Sequence, residues 1–297
     1  MPEPRLINVP PPSLPYGMPQ DEAEVDLSII VPAYNETERL PVMLDEAVEV
    51  LETRREADPS FDYEIIVVDD GSKDQTTQVA LEMAKRLAKG RIRVMTLHEN
   101  RGKGGAVKRG VLCARGHSIL FADADGATQF SDLTQLETQL LPLVKDHPMG
   151  YGVTIGSRSH LVETDAVVKR SMLRNFLMHS FHRFLYLLGV RTIKDTQCGF
   201  KLFSRPAAQI LFPTSHVEGW IFDVELLLIA EMSRMPVAEI PVTWHEVGGS
   251  KVNLVNDSIQ MALDLLILRL NYWLRIWALP TMLNEAEGKM ATPVSAY

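Results

Sequence analysis

"SILFADADGATQF", Ser118 to Phe130, runs from an apolar, strand-like stretch straight into two carboxylates one residue apart. Side chains at i and i+2 share a side of an extended backbone, so Asp123 and Asp125 would face the same way if the strand continued through them. Two unpaired anions side by side repel, and each raises the other's pKa. Such a pair belongs either in water at a strand end or around something positive.

The same pattern recurs upstream. "LSIIVPAYN" (Leu27–Asn35) and "YEIIVVDDGS" (Tyr63–Ser72) are short β-branched runs that also end in polar residues. Between them, Leu40, Leu44, Val48 and Leu51 recur at helical spacing. "DQTTQVALEMAKRLAKG" predicts a helix started by Asp74 and stopped by Gly90. "RIRVMTLHE" predicts a strand and "GGAVKRGVLCARG" a helix, which leads into the strand of the opening quotation. Near-continuous apolar strands alternating with helices predict an α/β, Rossmann-like, mostly parallel sheet covered on both faces. Ligands of such sheets bind outside the carboxyl ends of the strands. Three polar clusters fall there: Tyr34-Asn35-Glu36, Asp69-Asp70-Gly71-Ser72 and Asp123-Ala124-Asp125.

After Phe130 the rhythm loosens. "YGVTIGSR" predicts a strand, "VVKRSMLRNFLMHSFHRFLYLLG" a long basic-apolar helix, and "DTQCGFKLF" a loop and strand. "IFDVELLLIAEMS" predicts a helix and "AEIPVTWHE" a strand. The expected layout is a proline-rich, extended or disordered leader over 1–25, one catalytic domain over 26–250, and a C-terminal amphipathic helical segment and tail over 251–297. Ser258 to Pro280 approaches membrane length, but Asp264, Arg269, Asn271 and Arg275 interrupt it, which predicts a helix lying on a membrane and not crossing it. The opening residues lack the apolar core of a signal peptide.

A formal net charge of -8 over 297 residues argues against bulk binding of nucleic acid. The two cysteines, Cys113 and Cys198, make neither a disulfide framework nor a zinc set. Paired Asp side chains in oxygen-only surroundings suit a hard cation such as Mg²⁺ or Mn²⁺, which also takes phosphate oxygens and water. A diphosphate leaving group matches that need. Asp69 and Asp70 sit where a carboxylate can accept a base imide N–H or a ribose hydroxyl. Lys103 of "NRGKGGAVKRG" lies near a helix start, a place favourable to phosphate, although the run does not match the P-loop pattern.

Together, "IIVPAYNE", "IIVVDDGSKDQT", "NRGKGGA", "ADADGAT", "GSR", "DTQCGFKLF" and "FDVELL" resemble, in order, the motifs of family 2 glycosyltransferases with the GT-A fold. The likeness spans roughly residues 26–275 and is strongest to the dolichyl-phosphate β-glucosyltransferase branch. It implies that Pro32, Tyr34 and Glu36 line a nucleotide pocket with Asp70 on the base, and that Asp123 and Asp125 hold the sugar-nucleotide diphosphate through a divalent metal. Relatives making mannosyl lipids often carry Gln where this chain has Ala127, which tilts the donor toward glucose. The implied reaction is inverting transfer of glucose from UDP-glucose to a polyprenyl (dolichyl-type) phosphate on the cytoplasmic face of a membrane, by a peripheral or monotopic enzyme. An anionic acceptor needs positive charge and in-line positioning more than a general base. Arg158 and Arg174, with Arg170 as the near alternative, are the candidates for the acceptor phosphate. Asp195 is expected to orient sugar or acceptor. Two other readings fit the same residues: a polyprenyl-phosphate mannosyltransferase using GDP-mannose, and a non-catalytic sugar-nucleotide-binding membrane scaffold.

Overall fold

The computed structural model describes residues 22–87, 90–161, 195–248 and 254–277. The elements run β1 (Val25–Ala33), α1 (Arg39–Ala57), β2 (Tyr63–Asp69), α2 (Thr76–Arg86), β3 (Ile92–Thr96), α3 (Gly102–Leu112) and β4 (Gly116–Ala122). There follow α4 (Leu133–Asp146), β5 (Val153–Ser157), β6 (Phe200–Ser204), α5 (Arg205–Thr214), α6 (Phe222–Met232), β7 (Val237–Pro241) and α7 (Leu254–Trp273). The seven strands form one sheet in the order β3-β2-β1-β4-β6-β5-β7.

β1, β2, β3 and β4 are mutually parallel, as are β5 and β7, while β6 runs antiparallel to both β4 and β5. The sheet is therefore mostly parallel and mixed. The reversal of β6 is the one direction the sequence did not reveal, because "FKLFS" is buried at all five positions and carries no directional signal. Its consequence is large. β6 starts at the edge where its neighbours end, so the residues before it join theirs at one site.

Alternation along the strands divides the core into two layers. Ile30, Ile66, Val68, Ile119 and Phe121 face α3, α5, α6 and α7. Ile29, Val31, Ile65, Val67 and Leu120 face α1, α2 and α4 on the other side. On α1, Leu40, Leu44, Val48 and Leu51 are buried as their spacing predicts, joined by Met43 and Ala47. The α2 helix begins at Thr76, and Asp74 accepts from the Thr76 N–H at 3.0 Å and the Thr37 N–H at 3.4 Å. Asp74 thus ties two loops together from just outside the helix.

Helices α4 and α5 were missed in the sequence. Each contains proline, which reads as a breaker: Pro142 lies inside α4, and Pro206 and Pro213 lie in α5. Pro206 is tolerated because the first turn needs no N–H from it, and the Ser204 side chain caps the helix from the Ala207 N–H. The basic-apolar helix expected around residues 167–189, with Arg170 and Arg174, lies outside the described residues. So does nearly all of the proline-rich leader.

α7 is docked on the domain. Leu265, Leu268 and Tyr272 enter the core, and the Tyr272 hydroxyl donates to Glu225 of α6 at 3.0 Å. Its other face carries Leu263, Leu266, Ile267, Leu270 and Trp273, all exposed. No helix among the described residues is long and apolar enough to cross a membrane.

Candidate active site

The site lies where strand order reverses between β1 and β4, outside the carboxyl ends of the parallel strands. Three loops from three strand ends are tied together before any ligand arrives. Asn35, held at φ 55° just past β1, donates its N–H to Ser72 Oγ at 2.9 Å and accepts from the Lys73 N–H at 2.8 Å. The Glu36 N–H donates to Thr76 Oγ1 at 2.8 Å. Pro32 and Tyr34 flank this knot, both partly exposed.

The carboxylates expected to meet a nucleotide have different surroundings. Both oxygens of Asp69 are used internally: one accepts from the Ser72 N–H at 2.9 Å and the other from the Thr77 hydroxyl. Asp69 builds the turn. Asp70 accepts from the Arg101 N–H at 2.7 Å, at the start of α3. Burial pushes its pKa up to about 6, against the opposing pull of the Arg101 and Gly102 amides and Arg109. Gly71, at φ +69°, fits between them because a Cβ would meet Asn100 N at 3.1 Å. The Glu36 carboxylate is bound by the Arg39 guanidinium, Nε to Oε2 at 2.6 Å and Nη2 to Oε1.

The expected geometry of the acid pair needs one correction. β4 ends at Ala122, and residues 124–125 form a turn closed by Gly126 at φ +66°, so no extended strand carries Asp123 and Asp125 on one side. Asp125 accepts from the Ala127 N–H at 3.0 Å inside that turn. The Asp123 N–H donates to Gly199 O at 2.9 Å, just ahead of β6. The positive partner demanded by the repulsion is present: Lys103 Nζ lies 2.7 Å from Asp123 Oδ1, and Asp125 also acts on it through space. On the other side, both aspartates raise the pKa of Arg39, though burial works against them and Glu36 contributes more.

Arg158, directly after β5, and Asp195, ahead of β6, were nominated separately, and the structure pairs them. Arg158 Nε and Nη2 donate to the two carboxylate oxygens of Asp195 at 2.7 and 2.8 Å, and its N–H adds a third bond at 2.8 Å. Burial works against both charges, yet the fork-to-carboxylate contact prevails: the Asp195 carboxyl is held below its ordinary range and Arg158 above its own. The Arg158 guanidinium also lies over Trp244 at 5.6 Å. Glu239 of β7 supports this pair by accepting from the Asp195 N–H at 3.0 Å and the Ser157 hydroxyl at 2.5 Å. Arg170 and Arg174 fall outside the described residues.

Sequence reasoning read Trp220 to Asp223 as half core and half possible sugar pocket, and missed Lys201, Glu239 and Trp244 as members of this neighbourhood. The lone Lys in "FKLF" was the available signal, since a charge inside a fully apolar strand must find a partner. Among the described residues no group of three or more His, Cys, Asp or Glu is placed to hold a metal ion. Carboxylate oxygens such as those of Asp123 and Asp125 suit a hard cation, Mg²⁺ or Mn²⁺. Ala127, which is buried, adds no side-chain ligand.

Comparison with known proteins places this geometry. The profile of "Glycosyl transferase family 2" matches residues 28–212, a span that contains all three acidic strand ends and the Arg158–Asp195 pair. The chain belongs to glycosyl transferase family 2. It is a glycosyltransferase, and it is 51% identical over 84% of its length to the dolichyl-phosphate beta-glucosyltransferase of Dictyostelium discoideum, covering 76% of that protein. To the proteins of the same name from Homo sapiens and Saccharomyces cerevisiae it is 49% and 48% identical, each over 87% of this chain and covering 79% and 78% of theirs. Among solved structures, the glucosyl-3-phosphoglycerate synthase of Mycobacterium tuberculosis in complex with UDP superposes with a TM-score of 0.56 over 83% of this chain and 80% of that one, at 17% identity. The same synthase in complex with Mn²⁺ and UDP-glucose gives 0.52 over 83% and 79%, at 18% identity. At that identity the likeness is one of fold, and it is the GT-A fold that the glycosyltransferase motifs imply.

Proposed function

We propose that this glycosyltransferase transfers glucose from UDP-glucose to the phosphate oxygen of a polyprenyl, dolichyl-type lipid, inverting the anomeric carbon to give a β-linked product. The observation that carries the reading is the meeting, at one sheet edge, of the Asp123–Asp125 pair, Lys103, Asp70 and the Arg158–Asp195 pair. That set supplies anion-binding and cation-binding groups side by side, as a reaction between two phosphorylated substrates requires. The shared name of relatives at about half identity supports glucose and a lipid phosphate as the substrates.

Asp123 and Asp125 would hold Mg²⁺ or Mn²⁺, which when bound neutralises charge on the departing diphosphate. Lys103 adds a positive charge beside it, and Asp70 meets the uracil end of the donor. Asp195 orients the Arg158 fork, which with Arg170 or Arg174 draws in the acceptor phosphate. That phosphate is anionic at neutral pH and attacks without a general base. Ala127 keeps glucose ahead of mannose. A membrane-bound lipid requires the enzyme at a bilayer, on its cytoplasmic face as a peripheral or monotopic protein, and the exposed apolar face of α7 is the surface that meets it.

Product analysis tests the assignment. The purified chain is given a short polyprenyl phosphate with either UDP-glucose or GDP-mannose, with and without chelator. A metal-dependent β-glucosyl lipid phosphate is the expected product. Turnover of GDP-mannose in preference, or of UDP-glucose undiminished by chelation, overturns the donor or the metal.

A further inference from the structure

Lys201 and Asp223 form a buried pair that none of the steps above uses. Lys201, wholly buried in the middle of β6, places Nζ 2.9 Å from Asp223 Oδ1 and donates to Cys198 O. Asp223 stands in the first turn of α6. That turn lies directly on the first turn of α3, for a Cβ on Gly104 would come within 2.5 Å of Phe222 Cβ. Lys103 is the residue before Gly104. Its ammonium lies 5.2 Å from the centre of the Phe121 ring, and that of Lys201 lies 5.6 Å from the same centre. From the cleft inward the charges alternate: Asp123, Lys103, Asp223, Lys201. Asp223 also acts on the Lys103 ammonium through space.

Ion pairs this deep return little net stability, because desolvation consumes most of the attraction. Packing alone therefore gives no reason for Lys201 and Asp223 to be charged. We propose that Asp223 is a positioning residue for Lys103, holding its ammonium in the cleft for the donor diphosphate while Lys201 balances Asp223 from behind. The inference rests on the donor reading given under Proposed function. With diphosphate bound, Lys103 turns from Asp123 toward it, and the negative charge of Asp223 behind it keeps the ammonium at this end of the cleft.

Calorimetric binding of UDP and of uridine, each with Mn²⁺, to the full chain separates a positioning role from a structural one. Asp223→Asn and Lys103→Met should each weaken UDP binding on the order of ten- to a hundredfold. Uridine binding should not change, because uridine has no phosphate. The double variant should bind UDP no worse than Lys103→Met alone. If Asp223→Asn does not fold, Lys201→Met with Asp223→Asn removes the pair as a neutral unit and takes its place in the cycle. Losses that add in the double variant, equal loss of uridine, or unaltered UDP binding overturn the positioning role while leaving the donor reading intact. A parent chain that binds no UDP overturns the donor reading, and this inference with it.

Discussion

A single carboxylate can hold two neighbours apart or together, and the acidic residues here do both. Asp69 spends its oxygens on Ser72 and Thr77, whereas Asp125 spends one on the Ala127 N–H and acts on Lys103 through space. Asp125→Asn keeps an acceptor for that N–H, so the fold should hold. Transfer should fall by roughly 10²–10³, the scale of losing a charge-stabilising group at a reacting centre. Normal melting with lost Mn²⁺ binding is the expected pairing of measurements, and normal turnover would remove Asp125 from the metal site. Asp70 carries a different signature. Its pKa rises from the ordinary 3.8 to about 6 on folding, chiefly through burial. The folded chain therefore holds this proton more tightly than the unfolded one. The resulting stability is complete below about pH 4 and is lost as pH rises through about 6. Asp70→Asn still accepts from the Arg101 N–H but carries no charge. It should melt above the parent at about pH 7 and converge with it near pH 4. A constant offset at all pH values would show that the charge is not what weakens the fold. A group that costs stability at neutral pH, in a cleft, is the kind that binding retains.

Elements were legible where one face of a helix or both faces of a strand met the core. The α1 stripe and the β2 run needed no tertiary information, because burial enforces their spacing. α4 and α5 were hidden by their prolines, whose effect depends on position within the helix and on Ser204 as a cap. α7 shows the opposite difficulty, since apolar residues lie on more than one side of its polar positions and periodicity cannot tell the docked set from the exposed one. The structure assigns Leu265, Leu268 and Tyr272 to the core and leaves Leu266, Leu270 and Trp273 outside. Leu268→Ala should then cost about 2–5 kcal/mol in urea unfolding. Leu270→Ser combined with Trp273→Ser should stay within about 1 kcal/mol of the parent, since exposed positions contribute little. The same double variant should bind anionic vesicles at least about tenfold more weakly, through loss of two apolar anchors. Equal vesicle binding by the parent and the double variant would exclude this face as the membrane contact.

Across the whole molecule, the reversed strand β6 makes one site out of two halves of the chain. It brings Asp195 to Arg158, Gly199 beneath Asp123, and Lys201 toward Asp223. A Cβ on Gly199 would collide with the Asp123 carboxylate. Gly199→Ala should therefore displace that carboxylate and abolish Mn²⁺ and UDP binding by calorimetry, at a stability cost of about 1–3 kcal/mol. Full binding by that variant would mean that Asp123 does not depend on β6 for its position. The alternation of apolar strands and amphipathic helices, the polar residues at three strand ends and the resemblance to family 2 glycosyltransferases were all present in the sequence, because periodicity and strand-end chemistry are local. Partners were not. That Lys103 meets Asp123 and that Arg158 is held by Asp195 depend on strand order and direction. Those are set by which buried surfaces fit together across the sheet, a choice made between residues far apart in the chain, and so tertiary structure alone decided them.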